Sequence, residues 1–409
     1  VLLFVRLEKI ISSSGKIELL GRKQLIASTV VFAPKIFAMM VLRLVLIALF
    51  MTCGRLSAQS AFDLSALPLF WRMADSLGQN KMLSEADWDV FFGHPLYQQI
   101  EKSAQRKKPL KHFLSIVFKP SNKSVLDSIL QGTKTVRPLH FSMVKHLNEV
   151  KNRRAEIEAF ARDFNPEKWG VQVLEKVQSY LPLGVTTTYG LPKIYVGLFE
   201  NNGFGGATIA TDLLHLMNQN VTENIDYLAH EAHHYYTNKL NKSRRPVATR
   251  EESQDTIFLL YAFGSLRDEG IASLLDKSKF LDSTYRQSIA HRPEKESNAK
   301  EFATFYQQSP AVITRIDSLL TCVAEGRLDI GTGGKQIKGI LPWGGHPTGM
   351  FMAKLIEARL GKAALLDCCY NTFDFMLAYQ DAAAQSGQPV FAKQNIALIK
   401  VLRSRLSEE

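Results

Sequence analysis

Asn224-Ile225-Asp226-Tyr227-Leu228-Ala229-His230-Glu231-Ala232-His233-His234-Tyr235-Tyr236-Thr237-Asn238 sets how the other parts of this 409-residue chain are read. Ile225, Leu228, Ala232 and Tyr236 recur at helical spacing, which predicts an amphipathic helix over about 222–240. Residues four apart on a helix share a face. His230 and His234 therefore direct two neutral imidazole nitrogens at one Zn²⁺, and Glu231 stands where it can reach a water beside that ion. Zinc draws the pKa of such a water toward roughly 7, and a carboxylate can take its proton as the water attacks a carbonyl. His233 can also face inward. His234 is preferred because it gives Glu231 its usual relation to both ligands, which leaves His233 to packing or to support of the ligands.

Two histidines leave a catalytic zinc one protein ligand short. Leu266-Arg267-Asp268-Glu269-Gly270-Ile271-Ala272-Ser273 offers the third, inside a stretch that reads as helix from about 250 to 276. Glu269 follows His234 by 35 residues, and the small Gly270 and Ala272 let two helices approach around a metal. Asp268 is the rival ligand. A hydrolase of this kind also uses a donor for the oxyanion. Trp343-Gly344-Gly345-His346-Pro347-Thr348 supplies a candidate in His346, in a Gly-rich turn just before a helix expected over 347–360.

His230-Glu231-x-x-His234 followed by Asp268-Glu269-Gly270-Ile271-Ala272 resembles the gluzincins of the peptidase MA superfamily. More narrowly it is similar to a little-characterised bacterial family of zinc-dependent peptidases. The resemblance implies a zincin-like core in which His230, His234 and Glu269 bind zinc, Glu231 is the base and the substrate is a peptide or protein. It departs from some gluzincins in having His346 where they carry a Tyr, and its 35-residue spacing is longer than that of thermolysin-like members.

Around these motifs the chain predicts a helix-dominated α+β fold. Ser84-Glu85-Ala86-Asp87 signals a helix start, a further helix is expected from about Phe141 to Phe164, and Pro166 opens another. Between 183 and 217 the composition changes. Thr186-Thr187-Thr188-Tyr189 and Lys193 to Phe199 read as strands of a small sheet, and Ala207-Thr208-Ile209-Ala210 as an edge strand or turn after Gly203, Gly205 and Gly206. The Gly205–Thr208 run can offer backbone groups to an extended substrate. Helices return at 222–240, 250–276, 298–325, 347–360 and 390–407. The expected organisation is an N-terminal helical region, 59–182, packed on a catalytic region, 183–409.

Net charge is +11, but residues 1–58 hold eight Lys/Arg against two Asp/Glu. The remaining 42 Lys/Arg against 37 Asp/Glu leave +5, spread through short separated clusters, so no nucleic-acid partner is expected. Positive charge before the apolar run Leu44–Met51, with small residues at Ser57-Ala58, predicts a signal peptide over 39–58 cleaved near Ala58, hence export to the periplasm or the extracellular space. The run is too short to span a membrane, and no integral span is expected in the mature chain. Lipid attachment at Cys53 is the lesser alternative, and residues 1–38 read as an upstream extension beyond the true start. Cys322, Cys368 and Cys369 are an odd set that predicts buried or half-buried thiols and not a disulfide framework.

The function expected from these residues is an exported zinc metallopeptidase that hydrolyses peptide bonds. Its alternatives are a non-catalytic, zinc-stabilised binding protein, with His233 or Asp268 closing the coordination sphere, and a metal-dependent amidase or esterase.

Overall fold

The computed structural model describes residues 61–102, 107–200, 203–243 and 253–405, which belong to one compact unit spanning 57–409. The upstream extension, the signal peptide and Cys53 lie outside the described residues.

The chain opens with strand β1 (Phe62–Asp63) and helices α1 (Ala66–Gly78), α2 (Glu85–Phe92), α3 (Pro95–Lys102), α4 (Lys107–Phe118), α5 (Lys123–Leu130), α6 (Pro138–Asn152), α7 (Arg154–Asp163) and α8 (Pro166–Gln178). Ser84 starts α2 as its sequence predicts: its hydroxyl accepts the Asp87 N–H while the Asp87 carboxylate accepts the Ser84 N–H. The helix expected over 141–164 is two helices, because Arg153 leaves the helical region at φ −107°, ψ 20°.

The middle of the chain forms α9 (Val185–Tyr189), β2 (Ile194–Gly197), β3 (Gly203–Phe204), β4 (Ile209–Asp212) and α10 (Leu213–Met217). Thr186–Tyr189 is therefore helical and not a strand. Gly184 and Gly190, both at positive φ, bracket a single turn, and Thr188 Oγ1 donates to Gly184 O across it. The sheet runs β1-β2-β4-β3, with β1, β2 and β4 parallel and β3 antiparallel to β4. Ile209–Asp212 is thus an interior strand with all four residues buried, and Gly203–Phe204 forms the edge. Because Phe62 pairs with Ile194, residues from both sides of position 182 share this sheet.

The remaining elements are α11 (Val221–Ser243), α12 (Ser253–Asp276), α13 (Ser283–Ser288), α14 (Pro293–Gln307), α15 (Ser309–Ala324), α16 (Ile330–Ile340), α17 (His346–Leu360), α18 (Lys362–Asp367), α19 (Thr372–Ala384) and α20 (Lys393–Arg405). The helix expected over 298–325 is broken at Gln308, ahead of Pro310, which takes the first turn of α15. Helices α11, α12 and α17 build the centre of this part. Ile225, Leu228, Ala232 and Tyr236 of α11 are buried together, as their spacing requires, in a core that also takes in Phe263 of α12 and Met350 of α17.

Two glycines set how closely α12 and α17 cross. A Cβ on Gly349 would lie 2.1 Å from Leu266 O and 2.8 Å from Gly270 Cα, and one on Gly270 would lie 2.4 Å from the Gly349 carbonyl carbon. The small residue after Glu269 does serve helix approach, but toward α17. No helix among the described residues is long and apolar enough to cross a membrane. Cys368 and Cys369 are buried free thiols and Cys322 is a half-buried one, as expected.

Candidate metal centre

Helix α11 starts on a reciprocal pair in which Asn220 Oδ1 accepts the Glu223 N–H at 2.9 Å and the Glu223 carboxylate receives the Asn220 N–H. Two turns on, His230 and His234 leave the same face, with their Nε2 atoms 3.1 Å apart. From the antiparallel α12, Glu269 Oε2 stands 3.4 Å from His230 Nε2 and 3.2 Å from His234 Nε2. From the first residue of α17, His346 Nε2 reaches the same oxygen at 3.2 Å. The sequence expectation put His346 in the turn before that helix; it is the first helical residue, with Gly345 as N-cap at φ 114°.

Groups beyond the motif hold these rings. Asp276 Oδ1 lies 3.0 Å from His230 Nδ1, so it accepts that ring's N–H and frees Nε2 for a ligand. Asp276 is itself paired with Lys277. Ser273, fully buried, stands 3.0 Å from His346 Nδ1. Sequence reading missed both residues, although Ser273 and Asp276 follow Glu269 by four and seven positions and so share its helical face.

Burial disfavours a charged His230, but the Asp276 carboxylate outweighs it and raises its pKa to about 10. Asp276 is correspondingly held far below the usual carboxylate range, against its own burial, by His230 and Lys277. Burial and the nearby Lys277 push His346 down to about 3, so that ring is neutral.

The other two residues weighed as ligands are turned away. His233 is fully buried, and its Nε2 donates to Tyr180 O at 3.1 Å instead of facing the cluster. Asp268 pairs with the buried Arg267 at 2.7 Å, and Arg267 also donates to Asn241 Oδ1. Glu231 is half-buried beneath the sheet edge: a Cβ on Gly205 would lie 2.9 Å from Glu231 Oε2. Only Gly fits there, because the same Cβ would lie 2.5 Å from the Glu231 backbone oxygen.

These atoms fit a metal ion. Glu269 Oε2 is buried and makes no hydrogen bond, yet three imidazole nitrogens stand within 3.4 Å of it. A metal ion taken up among those nitrogens would neutralise this buried carboxylate. Ligands held about 2.0–2.1 Å from a tetrahedral zinc stand about 3.3–3.4 Å apart, close to the 3.1, 3.2 and 3.4 Å edges of the His230, His234, Glu269 triangle. The donor atoms of His230, Glu269 and His346 likewise lie within 4.8 Å of one another.

Residues 88–388 match the family described as "Putative zinc dependent peptidase (DUF5700)". The chain belongs to this family. No curated protein and no solved structure matches it. The matched stretch includes His230, Glu231, His234, Glu269, Asp276 and His346.

A second constellation, Asp63, Ser65 and His94, has the residue types of a serine nucleophile but the wrong proton order. His94 Nδ1 accepts the Leu96 N–H at 3.2 Å, so Nε2 carries the ring proton and donates it to Ser65 Oγ at 2.9 Å. The Ser65 hydroxyl in turn donates to Asp63. His94 cannot take a proton from Ser65 in this arrangement.

Proposed function

We propose that this chain is an exported zinc metallopeptidase in which His230, His234 and Glu269 hold the ion, Glu231 is the general base and His346 is the oxyanion donor. The observation that carries the reading is the triangle of His230 Nε2, His234 Nε2 and Glu269 Oε2, with a buried oxygen that makes no hydrogen bond at one corner and a third imidazole beside it. Zinc held there supplies Lewis acidity toward water and toward the carbonyl oxygen of a scissile bond.

The protein's own groups do the rest. Asp276 fixes the tautomer of His230, and the Glu269 carboxylate completes the donor set. Glu231 takes a proton from the attacking water and passes it to the leaving amine. With the Ser273 hydroxyl donating to Nδ1, the His346 proton sits on Nε2, which keeps it and donates a hydrogen bond to the carbonyl oxygen as that oxygen becomes negative. His233 is engaged by Tyr180 and Asp268 by Arg267, so neither of these two closes the coordination sphere. Export rests on the leader-like segment 39–58 and is checked by N-terminal sequencing of the protein recovered outside the cytoplasm.

The decisive experiment compares zinc content and cleavage of a mixed peptide library for the wild type and Glu231→Gln. One zinc in each and cleavage by the wild type alone is the expected result. Equal cleavage by both proteins would remove Glu231 as the base.

A further inference from the structure

Lys338 has no part in the catalytic reading, yet it is tied to two elements that carry the metal cluster. It lies in the last turn of α16, and its ammonium donates to Ser265 Oγ and, at 3.3 Å, to Gly344 O. Ser265 precedes Glu269 by one turn on the same face of α12, about 6 Å along the axis. Gly344 is two residues before His346. The ammonium therefore bridges the helix carrying the ligand carboxylate and the turn carrying the third imidazole, within one or two residues of an extended peptide from the metal.

Ser265 Oγ and Gly344 O are both neutral acceptors. Among the described residues no carboxylate stands within ion-pair distance of Lys338, and the charge it feels most is that of Glu269, which opposes the lowering of its pKa by burial. An ion bound to Glu269 uses that negative charge, while an ammonium keeps a third proton to donate after serving two acceptors. Beyond Ser265 the same face of α12 continues to Tyr261, 58 % exposed, and Ile257, which add exposed apolar surface one and two turns further along.

We infer that Lys338 selects the substrate by receiving a peptide carboxylate next to the scissile bond. This rests on the peptidase reading above and adds a substrate class to it: peptides carrying an acidic side chain, or a free C-terminus, at that position. Either source presents the same group to the ammonium.

The test uses zinc-loaded Glu231→Gln protein and fluorescent peptides of one sequence, in three forms: neutral and amidated, amidated with Asp or Glu at each flanking position, and neutral with a free C-terminus. Cleavage of the same set by protein with Glu231 intact is followed in parallel. A carboxylate-bearing form should bind on the order of tenfold tighter or more than the neutral amide, and the preference should shrink as salt is raised. Lys338→Met should abolish the preference and leave the neutral amide unaffected, whereas Lys338→Arg should retain it. Preference for the acidic side chain assigns an endopeptidase subsite, and preference for the free terminus a carboxypeptidase subsite.

An unchanged preference in Lys338→Met overturns the inference. So does equal weakening of all peptides, which would make Lys338 a brace for the His346 turn. A salt-insensitive preference overturns it without any variant. Cleavage of the neutral amide with no charge preference leaves the peptidase reading standing and removes only this one, whereas absence of binding and cleavage for every peptide removes both.

Discussion

Adding one methyl group at Gly349 should disconnect the third imidazole from the metal site while leaving the site filled. The new Cβ would meet Leu266 O at 2.1 Å, about 1.3 Å short of the 3.4 Å at which ordinary contact begins, and it would also meet Gly270 Cα at 2.8 Å. Both obstacles are backbone of α12, so no rotamer change relieves them and α17 must move away. His346 heads α17 and its Nε2 stands 3.2 Å from Glu269 Oε2, so a shift of about 1 Å carries that nitrogen away from the cluster. Misplacement on that scale costs about 10²-fold in rate, and overpacking of this kind about 1–3 kcal/mol of stability. The ligands on α11 and α12 do not depend on α17. Gly349→Ala should therefore keep one zinc by elemental analysis, lose about 10²-fold in kcat for peptide hydrolysis and melt a few degrees lower. Gly339→Ala is the control: that residue is helical too, nothing lies within 4 Å of its Cβ position, and activity should be unchanged. Wild-type kcat in zinc-loaded Gly349→Ala would refute the reasoning.

Three other perturbations separate the roles assigned above. Asp276→Asn should weaken zinc about 10–100-fold in a chelator competition, with much of the activity returning when zinc is in excess, because the orienting acceptor for His230 is lost and the ligands are not. Glu269→Ala should lose zinc. Asp268→Ala should keep it but lower stability to denaturant by about 3 kcal/mol, since Arg267 is 1 % exposed and would lose its counter-charge; the opposite pattern of metal loss would exchange the two residues. Glu223 makes an acid-sensitive clasp: its carboxylate, 6 % exposed, receives Arg292 at 3.0 Å, the Tyr285 hydroxyl at 3.2 Å and Lys295. Burial opposes the charge, yet Lys295 and Arg292 hold its pKa down at about 2. A depressed carboxylate stabilises above its ordinary pKa near 4.5, and that contribution is lost as pH falls from there toward 2. In zinc-stripped protein Glu223→Gln should thus remove about 1–2 kcal/mol at pH 6, with allowance for solvent screening, and almost nothing near pH 2. Parallel urea curves for the two proteins across pH 6 to 3 would contradict it.

What could be read before the fold was known is whatever a helix repeats. The apolar spacing of α11, its histidines at 230 and 234 and the acidic residue on α12 are local patterns, each legible from helical periodicity. Thr186–Tyr189 misled because β-branched composition was the only signal, while the turn is set by glycines at 184 and 190. Strand β1 is two residues long and exists only because Ile194 is there to pair with it. Asp276 and Ser273 lie on the readable face of α12, but their meaning depends on His230 and His346 arriving from other helices. Lys338 is further still from legibility, since nothing in Ile330–Ile340 distinguishes that lysine until Ser265 and Gly344 are beside it.

The buried Arg267 has a consequence for α12 as a whole. A helix is free to turn about its own axis unless something off the axis stops it, and at a side-chain radius of about 5–6 Å a 10° turn carries a head group by about 1 Å. Arg267 is clamped to Asn241 near the far end of α11 and to its own neighbour Asp268, so it fixes the azimuth of α12 against α11. Glu269, two positions along, inherits that angle. The acidic residue that does not face the metal thus helps govern where the one that does is aimed, and the Arg-Asp-Glu run acts as a bearing and its pointer.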